Sequence, residues 1–423
     1  MHIRQISLMP LANLNDSMDT SPVQRLQELP AEITPELKRI LEFWSTRALD
    51  QRYGGFVGQI DHFGNVHEES LKGAVLNARI LWTFSAAYRA LGTDGLKTMA
   101  TRAYRYLTGK CWDRRNGGLY WTLDARGNPV NSRKQAYAQG FGIYALSEYF
   151  MATKDEESLA YARKLYDLLE DKFLDEMHGG YVEALDKRWG RLEDMRLSPK
   201  DANLPKSMNT HLHILEPYTN LYRAWPDERL KISLLHLLDL FQHKIIDSQT
   251  GHFRLFFEMD WQCKSNTVSF GHDIEGAWLM HEAAQETGDR QLIRDVQQSS
   301  IRLVDSTLQE GTDADGSIFY EKEGAHLDTD KHWWPQAEAM VGLMDAWEIT
   351  HKNLYLEQAL KVWIFIREHM MDHEHGEWYW RVDKQGKPEP TEDKAGFWKC
   401  PYHNTRALLE MLRRIEKLSA QKG

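Results

Sequence analysis

One short phrase recurs six times along this 423-residue chain, and it limits the fold more than any other feature of the sequence. The first copy reads Asp50-Gln-Arg-Tyr-Gly-Gly-Phe-Val-Gly-Gln-Ile-Asp61. The second is Asp113-Arg-Arg-Asn-Gly-Gly-Leu-Tyr-Trp-Thr-Leu-Asp124, and the third Asp175-Glu-Met-His-Gly-Gly-Tyr-Val-Glu-Ala-Leu-Asp186. Looser copies begin at Asp247, Thr312 and Asp372. The glycines recur every 60 to 72 residues, and five of the six copies place Asp four residues before the glycine. Such a glycine permits a left-handed turn. The alternating residues after it read as a short strand, and stretches such as Asp124-Ala-Arg-Gly127 reverse it into a hairpin.

Each interval holds two helices. Leu76 to Leu91 is apolar at helical spacing and stops at Gly92; Gln139 to Ala152 and Leu159 to Phe173 follow in the next unit. Two helices in each of six units predict an all-α fold of about twelve helices, closed into a toroid with inner and outer layers and short β-hairpins in the connecting loops. The long loops then gather at one end, where a site belongs. Residues 1–30 lie outside the repeat and read as an N-terminal extension; residues 31–423 read as a single barrel domain.

A formal net charge of −10 argues against non-specific binding to nucleic acid or anionic lipid. No apolar run reaches the roughly 18 residues of a spanning helix, and Met1 to Asn15 lacks the core of a signal peptide. Cys111, Cys263 and Cys400 are few and far apart, which fits neither a disulfide framework nor a thiolate zinc site. A cytoplasmic protein is expected, and Cys400 reads as a small buried residue. The 15 Trp, 17 Tyr and 15 Phe fill helix interfaces, and those beside polar groups are candidates for stacking on sugar faces.

Polar and aromatic residues concentrate in four segments where inner helices begin: Ser207-Met-Asn-Thr-His-Leu-His-Ile-Leu-Glu216, Ser269-Phe-Gly-His-Asp-Ile-Glu-Gly-Ala-Trp278, His332-Trp-Trp-Pro-Gln-Ala-Glu338 and Phe397-Trp-Lys-Cys-Pro-Tyr-His-Asn404. Asn209, Thr210 and Ser269 suit helix caps, and Pro335 and Pro401 suit first turns. His211 and His213, at i and i+2, cannot chelate one ion together. His272 and Glu275 share a face, but no third ligand follows from local spacing, so no metal is expected. Histidine is the side chain whose ordinary pKa suits proton abstraction beside a carbonyl at neutral pH. Inverting a stereocentre asks for two such groups on opposite faces, and an enediolate asks for cationic donors. His213, His272 and His403 are the candidates for proton transfer, and Arg79, among apolar neighbours, for the cation. His211 reads as structural.

Asn209-Thr-His-Leu-His213, Gly271-His-Asp-Ile-Glu275, Trp333-Trp-Pro-Gln-Ala-Glu338 and Lys399-Cys-Pro-Tyr-His-Asn404 resemble the cellobiose 2-epimerase branch of the N-acylglucosamine 2-epimerase superfamily, from about Glu36 to Arg414. The resemblance implies an (α/α)6 barrel, no cofactor, and a small-molecule sugar as partner, with the protein a monomer or weak homodimer. It implies His272 and His403 as the pair exchanging the C2 proton, His213 as assistant in ring opening, and Arg79 on O1/O2 and the enediolate. Glu275 and Glu338 would orient the histidines. Trp333, Trp334 and Trp398 would wall the sugar, with Tyr137 and Asn209 as further contacts. Rival readings are a mannose/glucose 2-epimerase, an aldose–ketose isomerase, and an inverting glycoside hydrolase using carboxylates among Asp273, Glu275 and Glu338.

Overall fold

The computed structural model describes residues 21–420, which form twelve α-helices and a few strands of two or three residues. In chain order the helices are α1 (Pro22–Thr46), α2 (Ala74–Leu91), α3 (Asp94–Tyr106), α4 (Ala136–Thr153), α5 (Glu156–Lys172), α6 (Met208–Ala224), α7 (Glu228–Leu240), α8 (Phe270–Thr287), α9 (Arg290–Glu310), α10 (Trp333–Thr350), α11 (Asn353–Phe365) and α12 (Tyr402–Ala420). Even-numbered helices form an inner ring. Each packs on the next, and α12 returns to α2. Odd-numbered helices back them from outside. The chain is thus an (α/α)6 barrel.

Sequence and layer agree. Inner α4 is buried at every position from Ala136 to Tyr149, and its composition is apolar on all sides. Outer α9 buries one stripe, Val296, Ser300, Leu303, Val304 and Thr307, flanked by half-buried Leu292, Ile293, Ile301 and Leu308, and turns polar residues such as Arg294, Asp295 and Gln298 outward. Helix α1 runs through position 30, the expected start of the barrel domain, with Leu26, Leu29 and Ile33 on one buried stripe. Residues 1–20 of the expected extension lie outside the described residues. Among the described residues no helix is long and apolar enough to cross a membrane.

The repeated phrase is an aspartate-anchored turn between an outer and an inner helix. Asp50 accepts the N–H groups of Arg52 and Tyr53; Asp113, Asp175, Asp247 and Asp372 accept their equivalents two and three residues on. The next residue is left-handed in all six copies, at φ 82° for Gly54, 81° for Gly117, 73° for Gly179, 77° for Gly251, 91° for Gly316 and 83° for Gly376. Buried lysines neutralise four of these aspartates, Lys72 on Asp50, Lys134 on Asp113, Lys206 on Asp175 and Lys394 on Asp372, and in the fifth copy Lys331 pairs with Asp313, all at 2.5 to 2.9 Å.

The expected local hairpins are present, Thr122–Leu123 with Pro129–Asn131 across the Asp124–Gly127 reversal and Glu321–Glu323 with His326–Asp328, and the strands also pair between repeats. Across each turn there is a single bridge, such as Leu49 with Phe56 or Trp112 with Leu119. The residues beyond it pair with the strand that precedes the inner helix of the previous repeat. Thr122–Leu123 pairs with Lys72–Gly73, Ala184–Leu185 with Lys134–Gln135, Phe256–Phe257 with Lys206–Ser207, and Arg381–Val382 with Lys331–His332. The last link joins the ends of the ring: Ile60 donates its N–H to the Ala395 carbonyl at 2.8 Å. Strands such as Thr122–Leu123 thus pair on both edges, with the neighbouring repeat on one and their own hairpin on the other.

Candidate active site

Polar side chains on the first turn of the inner helices reach back to the turns. Gln139 accepts Leu119 N–H at 2.7 Å, Asp273 accepts Phe253 N–H at 2.8 Å, and Gln336 accepts Ile318 N–H at 2.9 Å. His211 does the same through Nε2 for Tyr181 N–H at 2.9 Å, while its Nδ1 lies 2.7 Å from the Ser207 carbonyl. Both ring nitrogens are engaged, so His211 is structural, as the sequence indicated. Asn77 and Asn404 hold the same place in α2 and α12.

Two residues further along, each inner helix places one side chain in a common belt: Arg79, Phe141, His213, Glu275, Glu338 and Arg406. These six meet. The Arg79 guanidinium lies over Phe141 at 4.3 Å, and the Phe141 ring is 5.0 Å from that of His213. Arg406 bonds Glu275 at 2.6 Å and Glu338 at 2.7 Å. His272 and His403 stand three residues before the belt, nearer the mouth.

The three candidate histidines share one arrangement, in which Nδ1 is held and Nε2 has no hydrogen-bond partner among the described residues. His403 Nδ1 lies 2.7 Å from Glu338, His213 Nδ1 3.1 Å from Glu216, and His272 Nδ1 2.7 Å from the Ser269 hydroxyl. Pro217 helps to place His213. Proline lacks the N–H that the His213 carbonyl would accept; the helix kinks there (φ −88°, ψ 17°), and α4 approaches that carbonyl at Gly140, where a Cβ would stand 2.2 Å from it. Burial lowers all three histidines. His213 falls to about 4 against the pull of Glu216, and His272 to about 3, with His213 and Arg79 adding to burial. His403 is also held well below its ordinary value by burial, Arg79 and Arg406. The sequence expectation of an unshifted histidine gives way to neutral bases held by a dry site and two arginines.

Three carboxylates converge on one arginine. Arg406, fully buried, bonds Glu216, Glu275 and Glu338, and Tyr402 donates its hydroxyl to Glu216. Burial and mutual repulsion raise Glu275 and Glu338. Glu216 stays low despite burial, because Arg406 and His213 outweigh it. Glu275, Glu338 and His403 bring three donor atoms together, a trio that local spacing did not disclose. The Arg406 guanidinium already engages Oε1 of both carboxylates.

Among the described residues Arg79 has no carboxylate partner. It is buried, donates to the Tyr137 hydroxyl at 2.8 Å, and leaves Nε without a partner. Such a cation beside neutral histidines is able to stabilise an anion. The Tyr137 ring packs on His213 at 5.0 Å and on Trp398 at 5.9 Å. Trp334 sits between the proton-transfer candidates, 4.7 Å from His272 and 5.8 Å from His403. Trp333 is buried against Trp380 and Lys399, with its ring 6.2 Å from His403. Asn209 Oδ1 is buried without a partner.

Sequence reasoning missed Arg406, Glu216, Tyr402 and Ser269 as contributors here. Aligning the inner helices on their turns would have exposed Arg406, which falls in register with Arg79, His213, Glu275 and Glu338. Two expected caps also move. Ser207, not Asn209 or Thr210, caps α6, by accepting Thr210 N–H at 3.1 Å. Ser269 precedes α8 without capping it.

Residues 54–407 match the N-acylglucosamine 2-epimerase family, and the chain belongs to it. Fold, family and site together define a carbohydrate isomerase, a sugar 2-epimerase. A cellobiose 2-epimerase of Bacteroides fragilis is 48% identical over 388 residues, covering 91% of this chain and 98% of that protein. The solved cellobiose 2-epimerase of Bacillus thermoamylovorans is 40% identical and superposes with a TM-score of 0.88 over 91% of this chain and 99% of its own. A D-mannose isomerase of Marinomonas mediterranea is 23% identical over 396 residues, 90% of this chain and 96% of that protein.

Proposed function

We propose that this chain reversibly epimerises C2 of the reducing-end glucose of cellobiose-type β-1,4 disaccharides, giving the mannose epimer. The observation that carries the reading is the pair His272 and His403, flanking Trp334 with their Nε2 atoms free of protein partners. Relatives that bear the cellobiose 2-epimerase name supply the substrate class. One imidazole removes the C2 proton of the open-chain aldose. The C–H electron pair forms C1=C2, and charge collects on O1, beside Arg79. The other imidazolium then returns a proton to the opposite face of C2. His213, held by Glu216, shuttles protons at the sugar oxygens during ring opening. Glu338 steadies the His403 imidazolium, and Arg406 keeps the three carboxylates in place. Trp334, Trp398 and Tyr137 wall the ring, Trp333 backs His403, and Glu275 and Asn209 complete the polar contacts. The chemistry uses side chains alone, and a cytoplasmic location suits it.

Incubation with cellobiose, mannose and N-acetylmannosamine in deuterium oxide, followed by chromatography and NMR, tests this. The expected result is glucosyl-mannose from cellobiose, with deuterium at C2. Ketose as the main product would favour the isomerase reading, in which C1 is reprotonated. A rise in free reducing ends would mean hydrolysis and would overturn the proposal.

A further inference from the structure

Ser207 and Ser269 occupy the same place in successive repeats, each being the residue before an inner helix. Ser207 caps its helix with its hydroxyl. Ser269 forgoes that stabilising cap, and its Oγ lies instead 2.7 Å from Nδ1 of His272. A serine diverted from the role its twin performs, toward a candidate proton-transfer ring, is spent on that ring.

We propose that Ser269 is a positioning residue that sets both the orientation and the acidity of His272, an inference that rests on His272 being one of the two groups exchanging the C2 proton. Its hydroxyl accepts Nδ1–H and leaves Nε2 on the Trp334 side of the cavity. The other two histidines have carboxylates at this position: Glu338 for His403 and Glu216 for His213. A carboxylate stabilises an imidazolium strongly, and a neutral hydroxyl does so weakly. The remaining charged or titratable groups acting on His272 are His213, Arg79 and His403, and none of them holds a proton on it. The two members of the pair are therefore unequal. His403 leans on an acidic side chain, and His272 on a neutral hydroxyl. In the return step the Nε2–H bond breaks, its proton bonds to C2 with the enediolate electron pair, and a neutral ring remains with Nδ1–H still donated to Ser269.

The test compares Ser269→Ala, Ser269→Thr, Ser269→Asp and Ser207→Ala for kcat, KM, the pH profile of kcat/KM on cellobiose, and Tm. Ser269→Ala is expected to lose tenfold to a hundredfold in kcat, the order set by misorienting a reacting group, with KM within about twofold and Tm unchanged. Ser269→Thr restores most of the rate. Ser269→Asp moves the acid limb of kcat/KM upward, because a carboxylate now holds the His272 proton. Ser207→Ala lowers Tm and leaves kcat alone. Wild-type kcat and pH profile in Ser269→Ala, a rate loss matched by a fall in Tm, or no recovery in Ser269→Thr would each overturn the proposal. His272→Asn, measured alongside, separates the two levels: retained turnover there sinks the proton-exchange reading itself.

Discussion

The inner helices carry a buried ionic network at each end, built from the same residue types and finished differently. At their C-terminal ends His281 uses both ring nitrogens, Nδ1 on Asp345 at 2.9 Å and Nε2 beside Gln285 and Gln297, each at 3.1 Å. Arg414 pairs with Asp345, Glu348 and Glu410, and Arg223 with Glu282 and Glu286. At the N-terminal ends His213, His272 and His403 each use one nitrogen, and Arg79 has no acid. In the first network both nitrogens of the histidine are engaged and each arginine meets carboxylates. In the second, among the described residues, Nε2 of each histidine has no partner and Arg79 meets no carboxylate, the pattern expected of a reactive network rather than a stabilising one.

Substituting one histidine from each end gives the sharpest contrast. His403→Asn is expected to lose 10²- to 10⁴-fold in kcat, the scale of general acid–base catalysis, with the fold retained by circular dichroism. His281→Asn is expected to lose about 1–3 kcal/mol of stability in denaturant titration, as buried partners go unpaired, with kcat unchanged. Equal kcat losses at both ends would erase the distinction. Next in size is Arg406→Met. Removing one partner of a buried ionic cluster costs about 3–5 kcal/mol, and here it strands Glu216, Glu275 and Glu338 together. A large fall in Tm is expected along with lost turnover; wild-type Tm would mean the carboxylates are not held by Arg406. The smallest effect concerns pH. Depressed pKa values keep a histidine neutral, and thus able to accept a proton, as pH falls. The acid limb of kcat/KM should therefore lie below 6.5, the ordinary histidine value. A limb at or above 6.5 would contradict the burial of His213 and His272.

Much of this was legible in the sequence because periodicity is a local signal. The Asp-x-x-x-Gly turns, the helices ending at Gly92 and beginning near Pro335, and the demotion of His211 all follow from residues within one or two turns of each other. What escaped depends on closure. Arg406 reads as an ordinary helical arginine until α12 lies beside α2 and α10, where it meets Glu216 and Glu275 from distant repeats. Ser269 reads as a cap because a serine before a helix suits that role; only the side-chain rotamer, turned to His272, shows otherwise. The local hairpins, such as Thr122–Leu123 with Pro129–Asn131, follow from the adjacent chain, whereas the pairing of the same strand with Lys72–Gly73 is supplied by the ring.

The link between Ile60 and Ala395 also bears on how the protein comes apart. Open repeat arrays have terminal units that fray and need polar caps, and their stability adds up unit by unit. Here the sixth repeat rests on the first, so no unit is terminal, and opening any one seam bares an unpaired strand edge and two apolar helix faces at once. The barrel is thus built to lose its structure in one concerted step.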